Sequence, residues 1–347
     1  MDQPFDPESL NFERTVNPAL SAQEKETEFQ SESRLRPKDF SEYIGQRKVV
    51  QNIEVMVESA KLRDQPMDHV LLSGPPGLGK TSLAMIIKET LGTELHVISG
   101  PAIEKKGDLA AILTNLNPKD VLFIDEIHRM HVSVEEILYS AMEDYRLDIV
   151  LGQGPAARTM QIDLAPFTLV GATTRSGLLS NPLRDRFMAN LHFDFYKKEE
   201  LAKIIENNAK KLNIKLHTEA RDLMSGCSRG TPRIANRILR RVRDFTLVRG
   251  KDEICSEEVT TALDLMDIDH LGLDRMDRKI LSVINDYYGG GPVGIEALCA
   301  TLSEDRSTIE DVFEPYLLKE GFILRTPRGR EISQKTKDHI GPQKSLF

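Results

Sequence analysis

His69-Val70-Leu71-Leu72-Ser73-Gly74-Pro75-Pro76-Gly77-Leu78-Gly79-Lys80-Thr81-Ser82 is the stretch on which the reading of this chain turns. A short apolar run closed by glycine and proline reads as a buried parallel strand. It leads into Gly74-Pro75-Pro76-Gly77-Leu78-Gly79-Lys80-Thr81, a match to GxxxxGK[ST], and then into the helix-forming run SLAMIIKETLG. Chemically, such a turn holds a nucleoside triphosphate. Gly77 and Gly79 let backbone N–H groups wrap the phosphates at a helix N-terminus. Lys80 supplies charge to the β and γ oxygens, Thr81 offers a hydroxyl to Mg²⁺, and Ser82 lies in the same turn. ATP and Mg²⁺ are therefore the expected cofactors.

About forty-five residues on, Val121-Leu122-Phe123-Ile124-Asp125-Glu126 reads as a second buried strand with two carboxylates at its C-terminal end, where ligands bind in open α/β sheets. This is a Walker B pattern. Asp125 is expected to hold the hydrated Mg²⁺, and Glu126 to orient and deprotonate the attacking water. Further strand-like runs, LHVISG and FTLVGAT, alternate with helical patterns. That order implies a parallel sheet covered by helices on both faces. Upstream, Val50, Ile53, Val57 and Leu62 in VVQNIEVMVESAKL suggest one apolar face of a helix.

The 347 residues make two or three domains the natural expectation. The basic count of 46 against 54 acidic gives a net charge of −8, so nucleic acid cannot be coated by bulk charge and any contact must be local. Three cysteines without CxxC spacing indicate neither a disulfide framework nor a zinc site and fit a reducing cytoplasm. The N-terminus lacks a secretion-signal pattern and no run nears the roughly 20 apolar residues of a membrane span, so an intracellular, membrane-free protein is expected. Residues 1–32 carry eight acidic side chains against Arg14 and Lys25 and are expected to be a disordered extension. The remaining boundaries fall at 33–197 for the α/β unit, 198–270 for an all-helical unit, 271–335 for three helices and a basic hairpin, and 336–347 for a flexible tail. The third unit suggests a winged helix-turn-helix.

GPPGLGKT, IDEIH, FTLVGATTR and NPLRDRF resemble the nucleotide core of AAA+ ATPases. With LRPKDFSEYIGQ, ISGPAIEKKGDLAAILTNL, AMEDYRLDIVLGQGPAARTMQIDLAPF, RGTPRIANRILRRVRDF and EPYLLKEGFILRTPRGR, the resemblance sharpens to the RuvB family of Holliday-junction branch-migration motors, across about residues 33–332. It implies an AAA+ P-loop sheet domain, a small helical lid and a C-terminal winged helix, working as a ring, expected to be a hexamer. It places Thr173 at the sensor 1 position. From sequence alone Arg184 and Arg186 both suit an arginine finger; the resemblance selects Arg186, which would reach a neighbouring subunit's ATP. Arg233 resembles sensor 2. Leu35, Arg36, Glu143, Asp144, Tyr145 and Tyr196 are implied to line or border the nucleotide pocket. The run after Phe187, Met-Ala-Asn-Leu, departs from the glycine expected beside the finger. Arg237, Arg240, Arg241 and Arg243 read as a solvated or acid-paired helix face.

Residues 319–345 carry seven basic and three acidic side chains, a local reversal of the overall sign. Arg325, Arg328 and Arg330 flank a Pro-Arg-Gly turn suited to phosphate contact in a groove. The resemblance implies Arg306, Arg325 and Arg330 as DNA contacts, on duplex DNA at four-way junctions. Period-two alternation on both sides of GQGPAA reads as a β-hairpin over about 147–164. Leu147, Ile149 and Leu151 share one face, as do Met160, Ile162 and Leu164, and by resemblance this hairpin docks the junction-binding protein RuvA, with the resolvase RuvC a further partner. An ATP-gated DNA-binding regulator or a clamp-loader-like assembly factor would use the same nucleotide core, and a sequence-specific footprint would favour the regulator.

Overall fold

The structure, a computed structural model, describes residues 34–151 and 158–340. The chain divides into two units, 1–36 and 37–347. The expected disordered extension, 1–32, lies outside the described residues, and Leu35 and Arg36 belong to the first unit. The second unit holds a sheet domain, a helical domain and a C-terminal domain with its own hairpin.

Helix α1 (Arg47–Arg63) buries Val49, Val50, Ile53, Val57 and Ala60. Leu62 is exposed instead of joining that face. Five residues beyond Val57 at 100° per residue, it points about 140° away. Strands β1 (Val70–Ser73), β2 (Leu95–Ser99), β3 (Val121–Asp125), β6 (Thr168–Thr173) and β7 (Ala189–His192) form one parallel sheet in the order β2-β3-β6-β1-β7. β1 and β6 are buried along their whole length, the apolar continuity of strands covered on both faces. β7 is an edge strand absent from the sequence reading. Its alternating half-exposed pattern is weaker than the apolar runs of the centre, and it begins in the Ala-Asn-Leu stretch that replaces the expected glycine.

Helices α2 (Lys80–Leu91), α3 (Lys106–Thr114), α4 (Val132–Glu143) and the short α5 (Asn181–Asp185) complete this domain. One sheet face packs Leu71, Leu122, Ile124 and Leu169 against Leu138, Phe167 and Phe187. The other carries Val70, Leu72, Phe123 and Val170 into a core continuous with the next domain through Ile205, Met224, Ile238 and Val242. The expected hairpin is present as β4 (Arg146–Leu151) and β5 (Arg158–Asp163), with Leu147 opposite Ile162 and Ile149 opposite Met160.

The helical domain comprises α6 (Lys198–Lys211), α7 (Thr218–Gly226), α8 (Pro232–Val248) and α9 (Ser256–Leu265), with a two-residue parallel pair β8 (Lys215–Leu216) and β9 (Glu253–Ile254). Thr231 caps α8 through the Ile234 N–H, and proline occupies its first position. The last domain holds α10 (Arg275–Asp286), α11 (Ile295–Leu302), α12 (Arg306–Thr308), a π turn (Ile309–Phe313), α13 (Glu314–Lys319) and the hairpin β10 (Ile323–Thr326) with β11 (Gly329–Ile332) around a third core. The segment expected as a tail continues as α14 (Gln334–Ile340), with Thr336 buried, because the Thr336 hydroxyl bonds the Phe322 carbonyl. Residues beyond 340 lie outside the described ones. Arg229 fastens the helical domain to this one: it is buried against Asp274 at 3.1 Å and Asp277 at 2.8 Å and stacks on Tyr316. Among the described residues, no helix is long and apolar enough to cross a membrane.

Candidate nucleotide-binding site

Between the C-terminal end of β1 and α2 the chain turns through Gly74–Gly79. Gly77 (φ 78°) and Gly79 (φ 101°) occupy backbone conformations that L side chains rarely adopt. A Cβ at Gly79 would sit 2.5 Å from Tyr43 Oη, so space as well as backbone demands glycine. Tyr43 and Tyr196 buttress the turn from outside. The Tyr196 hydroxyl donates to the Leu78 carbonyl at 3.1 Å and Tyr43 to the Gly79 carbonyl at 3.3 Å. Burial raises both phenols, Tyr196 to about 12. Sequence reasoning missed Tyr43, since an isolated tyrosine thirty-odd residues before the loop carries no local signal. Tyr196 supports the loop's shape through its hydroxyl.

Lys80 opens α2 and is buried, with Nζ donating to the Gly74 carbonyl at 2.7 Å and to that of Pro75 at 2.9 Å. Burial brings its pKa down to about 8, against the pull of Glu126 and Asp125, while Arg233 adds to the lowering. Both Walker B carboxylates are thus close enough to be felt by the lysine. Arg233, in the first turn of α8, leans on the loop from the helical domain: its backbone N–H reaches the Gly77 carbonyl at 3.4 Å. Thr81 and Asp125 offer the hard oxygen donors that suit Mg²⁺, a metal held by one or two protein oxygens, phosphate and water.

Glu126 sits just past β3 in the left-handed region (φ 50°), a conformation costly for a side chain of its size and frequent at functional sites. Around it the two threonines of GATT divide their tasks. Thr174 Oγ1 donates to Glu126 Oε2 at 3.1 Å. Thr173, fully buried, pairs its hydroxyl with His128 Nδ1 at 2.9 Å and accepts the Arg175 N–H at 3.0 Å. Thr174 therefore meets Glu126 directly, while Thr173, expected at the sensor 1 position, reaches it through His128. His128, 3.2 Å from Glu126 Oε2, is held below the usual histidine range by burial, with Glu126 opposing. Sequence reasoning missed Thr174 and His128, although they stand inside the GATT and IDEIH runs.

The structure keeps another set of residues away from this end of the sheet. β1 and β7 run parallel, with Val70 opposite Ala189 and Ser73 opposite His192. Lys80 follows β1, whereas Arg186 precedes β7. The two leave the sheet at opposite ends, which the four-residue strands set about 10 Å apart at 3.3 Å per residue. Arg186 bonds Glu143 Oε2 at 2.7 Å, the Pro182 carbonyl at 2.8 Å and the Tyr139 carbonyl at 3.2 Å, and stacks over the Tyr139 ring. The Arg184 side chain bonds only its helix neighbour Asn181 among the described residues. Tyr145 packs edge-on against His69 and Phe167, at the amino end of β1. Glu143 therefore meets Arg186, and Tyr145 stands with His69 and Phe167 at the amino end of β1.

The basic C-terminal residues also separate. Arg325 and Arg328 are exposed at the turn of the β10–β11 hairpin. Arg306 is exposed but paired with Glu296 and Glu310, both at 3.1 Å. Arg330 is only 6% exposed and bonds Glu314 at 2.7 Å and Glu310 at 3.0 Å. Its expected role as a free DNA contact does not fit that burial, because β11 turns its side chain inward onto two carboxylates. On the β4–β5 hairpin, Leu147 is buried and Ile162 packs on the domain's own core, while Met160 is exposed. The base of the hairpin is anchor and not docking face. The side chains of Ile149 and Leu151, like the loop 152–157, lie outside the described residues.

A P-loop sheet whose helical lid leans back on the loop of the same chain is the arrangement of AAA+ ATPases, and that is the class of this protein. Three family models match in succession: the Holliday junction DNA helicase RuvB P-loop domain over residues 35–193, the RuvB AAA lid domain over 196–269 and the RuvB C-terminal winged helix domain over 270–341. The chain belongs to the RuvB family. It is 56% identical over 307 residues to the Holliday junction branch migration complex subunit RuvB of Kosmotoga olearia, covering 88% of this chain and 90% of that one. The protein of the same name from Myxococcus xanthus is 54% identical over 322 residues, with 91% and 94% covered. The solved Thermotoga maritima RuvB branch migration motor superposes with a TM-score of 0.82 at 50% identity, over 88% of this chain and 98% of that chain.

Proposed function

We propose that this chain is the ATP-driven motor of Holliday-junction branch migration, acting in the cytoplasm in recombination and repair as a ring of identical copies. The single observation that carries the shared-site part of this reading is the placement of Arg186 at the end of the sheet opposite Lys80. An arginine finger so placed can reach only a neighbour's phosphates, and fingers of this kind contribute about 10³–10⁵ in rate. A closed ring, expected to be a hexamer, gives every copy such a neighbour.

At each site Lys80 and the loop N–H groups bind the triphosphate, and Glu126 orients and deprotonates the attacking water. Thr174 fixes Glu126, and Arg186 of the adjoining copy neutralises charge on the transferred group. Thr81 and Asp125 would hold Mg²⁺, which when bound screens the β and γ oxygens. Arg233 links the loop to the lid, so loss of the γ-phosphate can move the helical domain. The resemblance assigns Leu35 and Arg36 to nucleotide binding as well. Arg306, Arg325 and the exposed Arg328 contact phosphates of duplex DNA without reading sequence. Outward from Met160, with Ile149 and Leu151, the β4–β5 hairpin docks RuvA, and the assembled complex hands junctions to RuvC.

The test is ATP turnover with and without duplex DNA for the wild type, Lys80→Ala, Arg186→Ala and mixtures of the two variants. DNA stimulation, two dead single variants and partial activity on mixing support the shared-site motor. A monomer indifferent to DNA and to Arg186 leaves the regulator or assembly-factor reading in its place.

A further inference from the structure

We propose that Arg175 is a positioning residue that couples DNA bound at the winged helix to the Walker B glutamate. Its backbone leads to Glu126: the Arg175 N–H donates to Thr173 Oγ1 at 3.0 Å, and that hydroxyl pairs with His128, which stands 3.2 Å from Glu126. The next residue upstream, Thr174, bonds Glu126 directly. The Arg175 side chain faces the other way, across the domain boundary. Nε donates to Asp311 Oδ1 at 2.5 Å and Nη2 lies 3.6 Å from Glu310 Oε2. Both acids sit in the π turn (Ile309–Phe313), a backbone form found often at functional sites.

Glu310 is the shared element. It bonds Arg306 at 3.1 Å and Arg330 at 3.0 Å in addition to facing Arg175. Three arginines thus divide one carboxylate, and Asp311, Glu314 and Glu296 take up the remainder of their charge. A DNA phosphate that engages Arg306 competes with Glu310 for the same guanidinium. Glu310 then redistributes toward Arg175 and Arg330, and Arg175 shifts against Asp311. Because its N–H is bonded to Thr173, that shift reaches the hydroxyl pair around Glu126. The route is short, polar and continuous, with every link a contact of this structure. By reciprocity, nucleotide at Glu126 biases the same segment and so the affinity for DNA.

The DNA arm of this inference rests on the motor reading, so its test has a second arm that does not. In the first, Arg175→Ala and Asp311→Asn are compared with the wild type for turnover with and without duplex DNA. Asp311→Asn is expected to leave DNA-free turnover and the KM for ATP unchanged while DNA stimulation falls about fivefold or more. The exchange of charges, Arg175→Asp with Asp311→Arg, is expected to restore stimulation, which a merely stabilising role for either residue does not require. In the second arm, backbone hydrogen exchange of residues 306–313 is followed on adding a slowly hydrolysed ATP analogue. The wild type is expected to change its exchange there and Arg175→Ala to lose that response. Absence of DNA stimulation in the wild type counts against the motor reading alone. Full stimulation in Asp311→Asn, failure of the charge exchange to restore it, or an unaltered exchange response in Arg175→Ala overturns the coupling.

Discussion

Arg186 and Glu143 form an ion pair of 2.7 Å at the amino end of the sheet, with the guanidinium stacked on the Tyr139 ring. Removing Arg186 should therefore leave the chain's own nucleotide loop untouched. Arg186→Ala is expected to bind ATP normally and to lose about 10³-fold or more in turnover, measured as kcat beside a nucleotide-binding titration. Arg186→Lys should recover little, since a point charge cannot reproduce the fork. Loss of ATP binding in Arg186→Ala would show the arginine serving its own site.

The division of labour between the two threonines predicts opposite phenotypes. Thr174→Val is expected to lower kcat by about 10²–10³ with the melting temperature unchanged, as for a lost donor beside the reacting groups. Thr173→Val strips the buried partner of His128 and should cost about 1–3 kcal/mol in stability, read by denaturant unfolding. Reversal of the two outcomes would make Thr173 the hydroxyl that acts beside the reacting groups.

Lys80 sets the alkaline limit of nucleotide binding. Its free-site pKa of about 8 lies below the usual lysine value because burial outweighs the Walker B carboxylates. Phosphate binds the protonated form, so affinity should be level below pH 8 and fall above it, by up to tenfold per pH unit until the neutral lysine's own affinity is reached. Calorimetric titration of ATP from about pH 7 to about pH 9.5 checks this. Affinity independent of pH across that range contradicts a lowered lysine.

The two arginines that face each other across the β10–β11 hairpin should behave differently. Arg330→Ala leaves Glu314 buried without its partner and is expected to cost about 3–5 kcal/mol, seen in unfolding of the winged domain. Arg325→Ala should fold normally, weaken duplex binding evenly across sequences and reduce the slope of log affinity against log salt by about one. A normal melting profile for Arg330→Ala together with a lost phosphate contact would put Arg330 on the DNA.

The sequence by itself determined the nucleotide chemistry and the three-domain plan. The loop around Lys80, the carboxylates after Ile124 and the helix and hairpin patterns near the C-terminus are local signals, because backbone conformation and apolar periodicity are set within a few residues. The lone β7, the inward turn of Arg330, the buried base of the hairpin at Leu147 and the helix over Gln334–Ile340 were decided by packing. The partners of Thr173 and Thr174, His128 and Glu126, come from the end of a different strand, so which hydroxyl meets which was also decided by the fold. Only the tertiary structure set Arg186 at the far end of the sheet from Lys80 and brought Arg175 against Asp311. Contacts between residues more than a hundred positions apart come from sheet assembly and domain docking and leave no periodicity in the chain to read.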